Sequence, residues 1–228
     1  MQCNTLWLIT ARGGSKGIPD KNVRPFLGRP LVCRAVDQAL ECRQPGDTVF
    51  VSTDSEKIRA AAATCGDVVP FMRPDSLATD TASSYDVIMH ALSEFANRGK
   101  HFDRVALLQP TSPLRTADDI RAAIDLWSRD VDMVVSVCEA SANPYYNAFE
   151  TDSDGLLHIS KGDGHYTRRQ DAPKVWEYNG AVYIMTVESL MKGPMSGFSK
   201  ILPSPMPASR SIDLDTPTDW KIAEILMS

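Results

Sequence analysis

Leu6-Trp7-Leu8-Ile9, followed by Thr10-Ala11-Arg12-Gly13-Gly14-Ser15-Lys16-Gly17-Ile18-Pro19-Asp20-Lys21-Asn22, decides how this chain reads. A short apolar run, the signature of a buried strand, leads directly into a loop that combines glycines, a serine and the cations Arg12, Lys16 and Lys21. Glycines let backbone N–H groups come close to an anion, and the cations supply charge that a plain turn does not require. A tight solvated βα turn is the bland alternative, with glycines for geometry and lysines for solubility. The cation density and an acidic motif near the far end favour a polyphosphate cradle. Two common phosphate loops are excluded: there is no G-x-x-x-x-G-K-[ST], and glycines at 13, 14 and 17 do not make G-x-G-x-x-G.

Outward from that loop the pattern alternates. Strand candidates are 5–10, Thr48–Ser52, Val68–Phe71, Arg104–Leu108 and Met133–Val137, and helical stretches are Leu31–Glu41, Ser55–Thr64, Ser83–Arg98 and Ala117–Ser128. Thr116 with Asp119 resembles a capping box at the start of the last of these. The alternation predicts an α/β fold: a mainly parallel sheet flanked by helices, with ligands bound beyond the carboxyl ends of the strands. The stretch 141–176 breaks the rhythm and reads as a small antiparallel excursion. Tyr178–Met185 returns to the sheet with Asn179-Gly180 bending it near its start, and the proline-rich Leu202–Pro207 reads as an extended connector.

The bulk composition narrows the classes. At 228 residues and 43% hydrophobic content the chain has enough apolar material for one sizeable core, read as one domain over 1–228. A formal net charge of −5 argues against a duplex-binding surface. The cysteines Cys3, Cys33, Cys42, Cys65 and Cys138 show no C-x-x-C pair and read as reduced thiols. Neither a membrane span nor a secretion signal is legible, so the expected location is the cytoplasm.

Three further clusters carry chemistry. In Ser211-Ile212-Asp213-Leu214-Asp215-Thr216-Pro217-Thr218-Asp219-Trp220, an extended backbone would put Asp213 and Asp215 on one face, where Mg²⁺ relieves their repulsion and takes its other ligands from phosphate and water. The bland alternative is a strand end followed by a cap, and Asp219 is assigned to capping Thr216. In Leu107-Leu108-Gln109-Pro110-Thr111-Ser112-Pro113-Leu114-Arg115 the strand delivers the Gln109 amide to the ligand edge, where it both donates and accepts. Arg73 ends another apolar segment. Ser83 and Ser84 open a helix, as ligand hydroxyls or simply as caps.

These segments together resemble the acylneuraminate cytidylyltransferases, the CMP-sialic acid synthetases. The residues concerned are 11–22, Gln109–Arg115, Arg168-Arg169-Gln170 and Asp213–Thr216, in family order across nearly the whole chain. Asn143-Pro144-Tyr145-Tyr146-Asn147 leans toward the branch that handles legionaminic acid, whereas relatives acting on Kdo carry a different first loop. The resemblance implies a homodimer that makes a CMP-activated nonulosonic acid from CTP with Mg²⁺. It implies CTP contacts from Arg12, Gly13, Ser15, Lys16, Lys21, Asn22, Arg73, Ser83 and Ser84, and sugar-acid contacts from Gln109, Arg169, Tyr145 and Asn147. Asp213 and Asp215 would hold the metal, Lys21, Arg12 and Asp215 would carry catalysis, and 141–176 would mediate dimerisation. Two alternatives stay open on the residues: a sugar-1-phosphate nucleotidyltransferase, and a nucleotide-binding sensor without activity.

Overall fold

The computed structural model describes residues 3–14, 17–79 and 81–227. In chain order it contains β1 (Thr5–Thr10), β2 (Pro25–Phe26), β3 (Arg29–Pro30), α1 (Leu31–Cys42), β4 (Thr48–Ser52), α2 (Glu56–Ala63), α3 (Ser84–Ala96), β5 (Arg104–Leu108), α4 (Ala117–Asp125), β6 (Met133–Glu139), β7 (Phe149–Thr151), β8 (Leu157–Ile159), β9 (Trp176–Thr186), α5 (Val187–Lys192), β10 (Ile201–Pro205) and α6 (Pro217–Met227). Six strands form the main sheet in the order β10-β6-β9-β5-β1-β4. Neighbours are parallel except that β9 runs antiparallel to both β5 and β6.

The expected mainly parallel sheet is therefore present, and its residues show why. In β1, Trp7 and Ile9 pack under α1, α2 and α4, while Leu6 and Leu8 pack under α3. A strand covered on both faces reads as a continuous apolar run, as this one does. The chain passes from β1 to β4 on one side and returns to β5 on the other. That reversal opens a crevice at the carboxyl edge between β1 and β5, where a ligand site is expected. The loops at 11–22 and 109–115 both leave the sheet there.

Two expected elements are corrected. Val68–Phe71 is not a strand: Val68 O accepts from Val51 N at 2.8 Å and Arg73 N donates to Thr53 O at 2.8 Å, but no ladder forms between these bonds. Pro70 lacks the N–H that a continuous ladder would use. Conversely, Leu202–Pro207 is no mere connector, since β10 pairs in parallel with β6. Met206 N donates to Val137 O at 2.7 Å. N–H groups alternate along a strand, so Pro203 and Pro205 occupy the positions facing away from β6, where an edge strand tolerates them.

Helix caps match the sequence. Thr116 and Asp119 form a reciprocal capping box on α4. The same device opens α6, where Thr216 N donates to Asp219 Oδ2 at 2.7 Å and Asp219 N to Thr216 Oγ1 at 3.2 Å. The excursion contains the β7–β8 antiparallel hairpin, and its expected turn at 162–164 has Gly162 and Gly164 at positive φ.

A third apolar cluster sits at the carboxyl edge and joins the two ends of the chain. Ile18, Phe26, Leu31 and Leu114 pack with Leu214, Trp220 and Ala223. Gly17 passes so close to the Asp215 carbonyl oxygen that a Cβ there would run into the backbone, whereas a Cβ at Gly14 would meet open space. Gly17→Ala is expected to cost about 1–3 kcal/mol through forced backbone movement, and Gly14→Ala less than about 0.5 kcal/mol, by urea unfolding. Equal stability of the two variants would contradict the close approach.

Asp132 stitches the far side of the sheet. Its carboxylate accepts from Ser189 Oγ at 2.6 Å, Lys200 N at 2.9 Å and Ser199 N at 3.0 Å. These bonds, the Ser189 hydroxyl foremost, draw its pKa down to about 2. A depressed carboxylate stabilises the fold above its ordinary pKa and loses that contribution as pH falls through the folded value. Asp132→Asn should therefore lower unfolding stability at neutral pH, and the gap to wild type should close as pH falls from about 4 to about 2. A gap independent of pH would contradict this origin.

Candidate active site

The crevice at the carboxyl edge contains two adjoining cavities. The first, about 390 Å³, is walled by Arg12, Gly17, Lys21, Asn22, Arg73, Ser84 and Asp215, among others. The second, about 310 Å³, is walled by Gln109, Cys138, Glu177, Tyr178, Asn179, Gly180, Tyr183, Ser211 and Asp213. Gln109 lines both.

The first cavity is cationic by construction. Lys21 is largely buried; its Nζ donates to Leu214 O at 2.6 Å and lies 3.4 Å from Asp215 Oδ1. An ammonium has three donors, so one remains for a ligand. The buried Asn22 amide donates to Arg12 O at 3.0 Å and pins the first loop. Arg73 is buried as well, with one NH2 3.3 Å from Asp54 Oδ1 and its Nε buried without a hydrogen-bond partner. Burial pulls the Arg73 pKa down; Asp54 opposes that, and the nearby charge of Arg12 adds to it. Two guanidinium groups share this wall, and an arriving anion would relieve both their repulsion and the orphaned donor.

Asp54 was not legible as a functional residue, yet it organises this wall. It accepts from Gly13 N at 3.0 Å as well as from Arg73. Its position just past the end of β4, the strand beside β1, is the signal that could have found it. Ser15 and Lys16 lie outside the described residues. Ser83 is the N-cap of α3, with Oγ accepting from Asp86 N at 3.1 Å and donating to Asp86 Oδ2 at 2.7 Å, whereas Ser84 lines the first cavity.

The acidic segment departs from the expected extended geometry. Residues 211–215 form no strand; Asp215 N folds back onto Asp213 O at 3.1 Å, while Leu214 N donates to Thr111 O at 2.9 Å. This tight turn drives Leu214 into the apolar cluster and sends the carboxylates to adjoining cavities, Asp213 to the second and Asp215 to the first. They do not share one strand face. Burial raises the Asp213 pKa, the Thr111 hydroxyl opposes it, Asp215 raises it further and Lys21 lowers it. Asp213 Oδ1 is buried without a hydrogen-bond partner. An orphaned carboxylate oxygen beside a second carboxylate fits a hard divalent cation that completes its shell from phosphate and water. No group of three or more His, Cys, Asp or Glu that could hold a metal occurs among the described residues, so such an ion would lean on the substrate's oxygens.

Gln109 is held by a buried arginine. The Arg115 guanidinium donates to Gln109 O at 3.2 Å, to Ala181 O at 2.5 Å and to Gln38 Oε1 at 2.7 Å. Complete burial lowers its pKa to about 10. It thereby ties the loop after β5 to β9. Across the joint, Gly180 at φ +74° leaves room for the Gln109 side chain, where a Cβ would stand 3.3 Å from Oε1. The buried Asn179 amide fixes this bulge of β9, accepting from Ser136 Oγ at 2.6 Å and donating to Ser211 Oγ at 2.9 Å.

The excursion residues stand elsewhere. Arg169 donates to the carbonyls of Ala140 and Ser141, Asn147 Oδ1 accepts from Asn143 N at 2.7 Å, and Tyr145 packs on Tyr166 and under Lys161. None of the three lines either cavity of its own chain.

Comparison with known proteins identifies the family. The cytidylyltransferase family model matches residues 6–212, ending just before the acidic pair. A CMP-N,N'-diacetyllegionaminic acid synthase of Legionella pneumophila is 34% identical, over 97% of this chain and 95% of its own length. An N-acylneuraminate cytidylyltransferase of Streptococcus agalactiae is also 34% identical, over 93% of this chain but 51% of its own length, so the chain spans about half of that protein. Among solved structures, CMP:2-keto-3-deoxy-manno-octonic acid synthetase complexed with CTP has the same fold, with a TM-score of 0.72 at 18% identity, over 99% of this chain and 98% of that one. No helix among the described residues is long and apolar enough to cross a membrane. With a family model over most of its length and a relative 34% identical along nearly the whole of both chains, the chain belongs to the cytidylyltransferase family and is a nucleotidyltransferase.

Proposed function

We propose that this chain transfers CMP from CTP to the anomeric hydroxyl of a nonulosonic acid of the sialic or legionaminic type, releasing pyrophosphate in a Mg²⁺-dependent reaction. One observation carries the reading: a cationic cavity and a second polar cavity meet at Gln109, an arrangement that suits two substrates held end to end. The relatives named for legionaminic and neuraminic acids support the choice of acceptor.

In this reading the triphosphate lies along Arg12, Lys21 and Arg73. Arg73 Nε gains the acceptor it lacks, and the free donor of Lys21 is used. Gln109, held by Arg115, holds the acceptor sugar at the joint of the cavities. Asp213 and Asp215 would hold Mg²⁺, which when bound neutralises phosphate charge and lowers the pKa of a nearby hydroxyl. Positioning and electrostatic stabilisation do most of the work, because phosphoryl-type transfer asks little covalent chemistry of the protein.

The excursion at 141–176 is read as the dimerisation segment. It exposes Phe149, Leu156, Leu157 and Trp176, an apolar set that a second copy of the chain would cover. Arg169, Tyr145 and Asn147, which miss the cavities of their own chain, would then serve the neighbouring one.

Pyrophosphate release from CTP is expected with a free nonulosonic acid and Mg²⁺, and not when a sugar 1-phosphate replaces the acid; the reverse pattern would contradict the proposal. Asp215→Asn should lower kcat/KM by about 100-fold or more, against near-normal turnover if the carboxylate holds no metal. Arg169→Ala should raise KM for the sugar acid far more than for CTP, since a guanidinium fork pairs with a carboxylate. Equal effects on both substrates would count against that contact.

A further inference from the structure

The second cavity has a charge pattern that bears on which end of the acceptor it reads. Its walls carry the carboxylates of Asp213 and Glu177, and no lysine or arginine is among the described residues lining it. A nonulosonic acid bears its own carboxylate on the anomeric carbon. That carbon has to sit where the cavities join, beside Gln109 and Asp213, for its hydroxyl to reach the nucleotide. The rest of the sugar then extends along β9 away from the joint.

Gly180 marks the joint, with a virtual Cβ 3.3 Å from Gln109 Oε1 and 4.0 Å from Asp213 Oδ2. Glu177 stands three residues earlier on β9, before the bulge at Asn179–Gly180, and lines the same cavity. The substituents of a nine-carbon acid remote from its anomeric carbon are hydroxyl and acylamido groups. Glu177 is exposed at this rim, and its Oε1 accepts from the Cys138 thiol at 3.4 Å. A thiol is a weak donor, so the carboxylate retains most of its accepting capacity.

Resting on the proposed function, we infer that Glu177 is a specificity-determining residue. It accepts hydrogen bonds from the hydroxyl or amide N–H groups at the end of the acceptor remote from its carboxylate. The cavity thus selects acceptors that present hydrogen-bond donors at their far end. Hydrogen bonds to an ionised acceptor are stronger than neutral ones, so loss of the carboxylate costs selectivity rather than turnover.

The test compares wild type, E177Q and E177A in pyrophosphate release from CTP. One acceptor is a diacylamido nonulosonic acid, and the other a truncated 2-ulosonic acid lacking hydroxyl and acylamido groups at the far end. E177A should raise KM for the first acid about 10-fold or more, E177Q by less, and neither variant should change KM for CTP or KM for the truncated acid by more than about twofold. A KM unmoved for both acids, or raised equally for both, overturns the assignment while leaving the proposed function intact. Failure of wild type to release pyrophosphate with any nonulosonic acid overturns both. Glu177 is exposed, so both variants should keep the wild-type Tm, which thermal unfolding checks.

Discussion

The contact between Lys21 and the Leu214–Asp215 segment is the constraint on which the rest of the site depends. An ammonium from the first loop donates to a main-chain oxygen almost at the other end of the chain, within 2.6 Å. Gly17 lets the two backbones cross, and an apolar cluster of Ile18, Phe26, Leu214 and Trp220 locks the crossing beneath. Without that seam the cations of the first loop and the carboxylates of the last would face solvent separately. With it, opposite charges border one cavity, and the nucleotide's own charge is what remains to be matched.

A second consequence follows from the tight turn at Asp213-Leu214-Asp215. Burying Leu214 between the two carboxylates divides them between neighbouring cavities instead of aiming both at one point. Gln109 is the residue common to these cavities, and Arg115 holds its backbone through a guanidinium buried without a directly bonded carboxylate. A buried charge compensated by carbonyl and amide oxygens is expensive to disturb, which suits a fixed joint between two substrates.

Much of this was legible in the sequence, and the reasons are local. β1 reads as a strand because both of its faces are covered, and the Thr116 and Thr216 caps announce their helices through side chains three residues on. Lys21, Asn22 and Gln109 could be placed at one edge because the parallel strands β1 and β5 share a carboxyl end; Arg73 and Asp215 reach the same cavity from segments that are not strands. What escaped depends on contacts distant in sequence. Asp54 binds Gly13 and Arg73 only once β4 lies beside β1. The prolines of β10 look like a connector until the alternation of N–H groups against β6 shows that they face outward. The turn at 213–215 is set by Leu214 falling into a cluster assembled from five other segments, and no period in the sequence reports it. The roles of Arg169, Tyr145 and Asn147 likewise depend on a surface beyond one chain.

The most direct test of the central claim is anomalous diffraction from crystals of the protein grown with CTP and Mn²⁺. The account predicts one anomalous peak at Asp213 or Asp215, bonded also to phosphate oxygens of a CTP whose triphosphate runs past Arg12 and Lys21. A CTP bound with its triphosphate away from Lys21, or a metal peak remote from both aspartates, would contradict it.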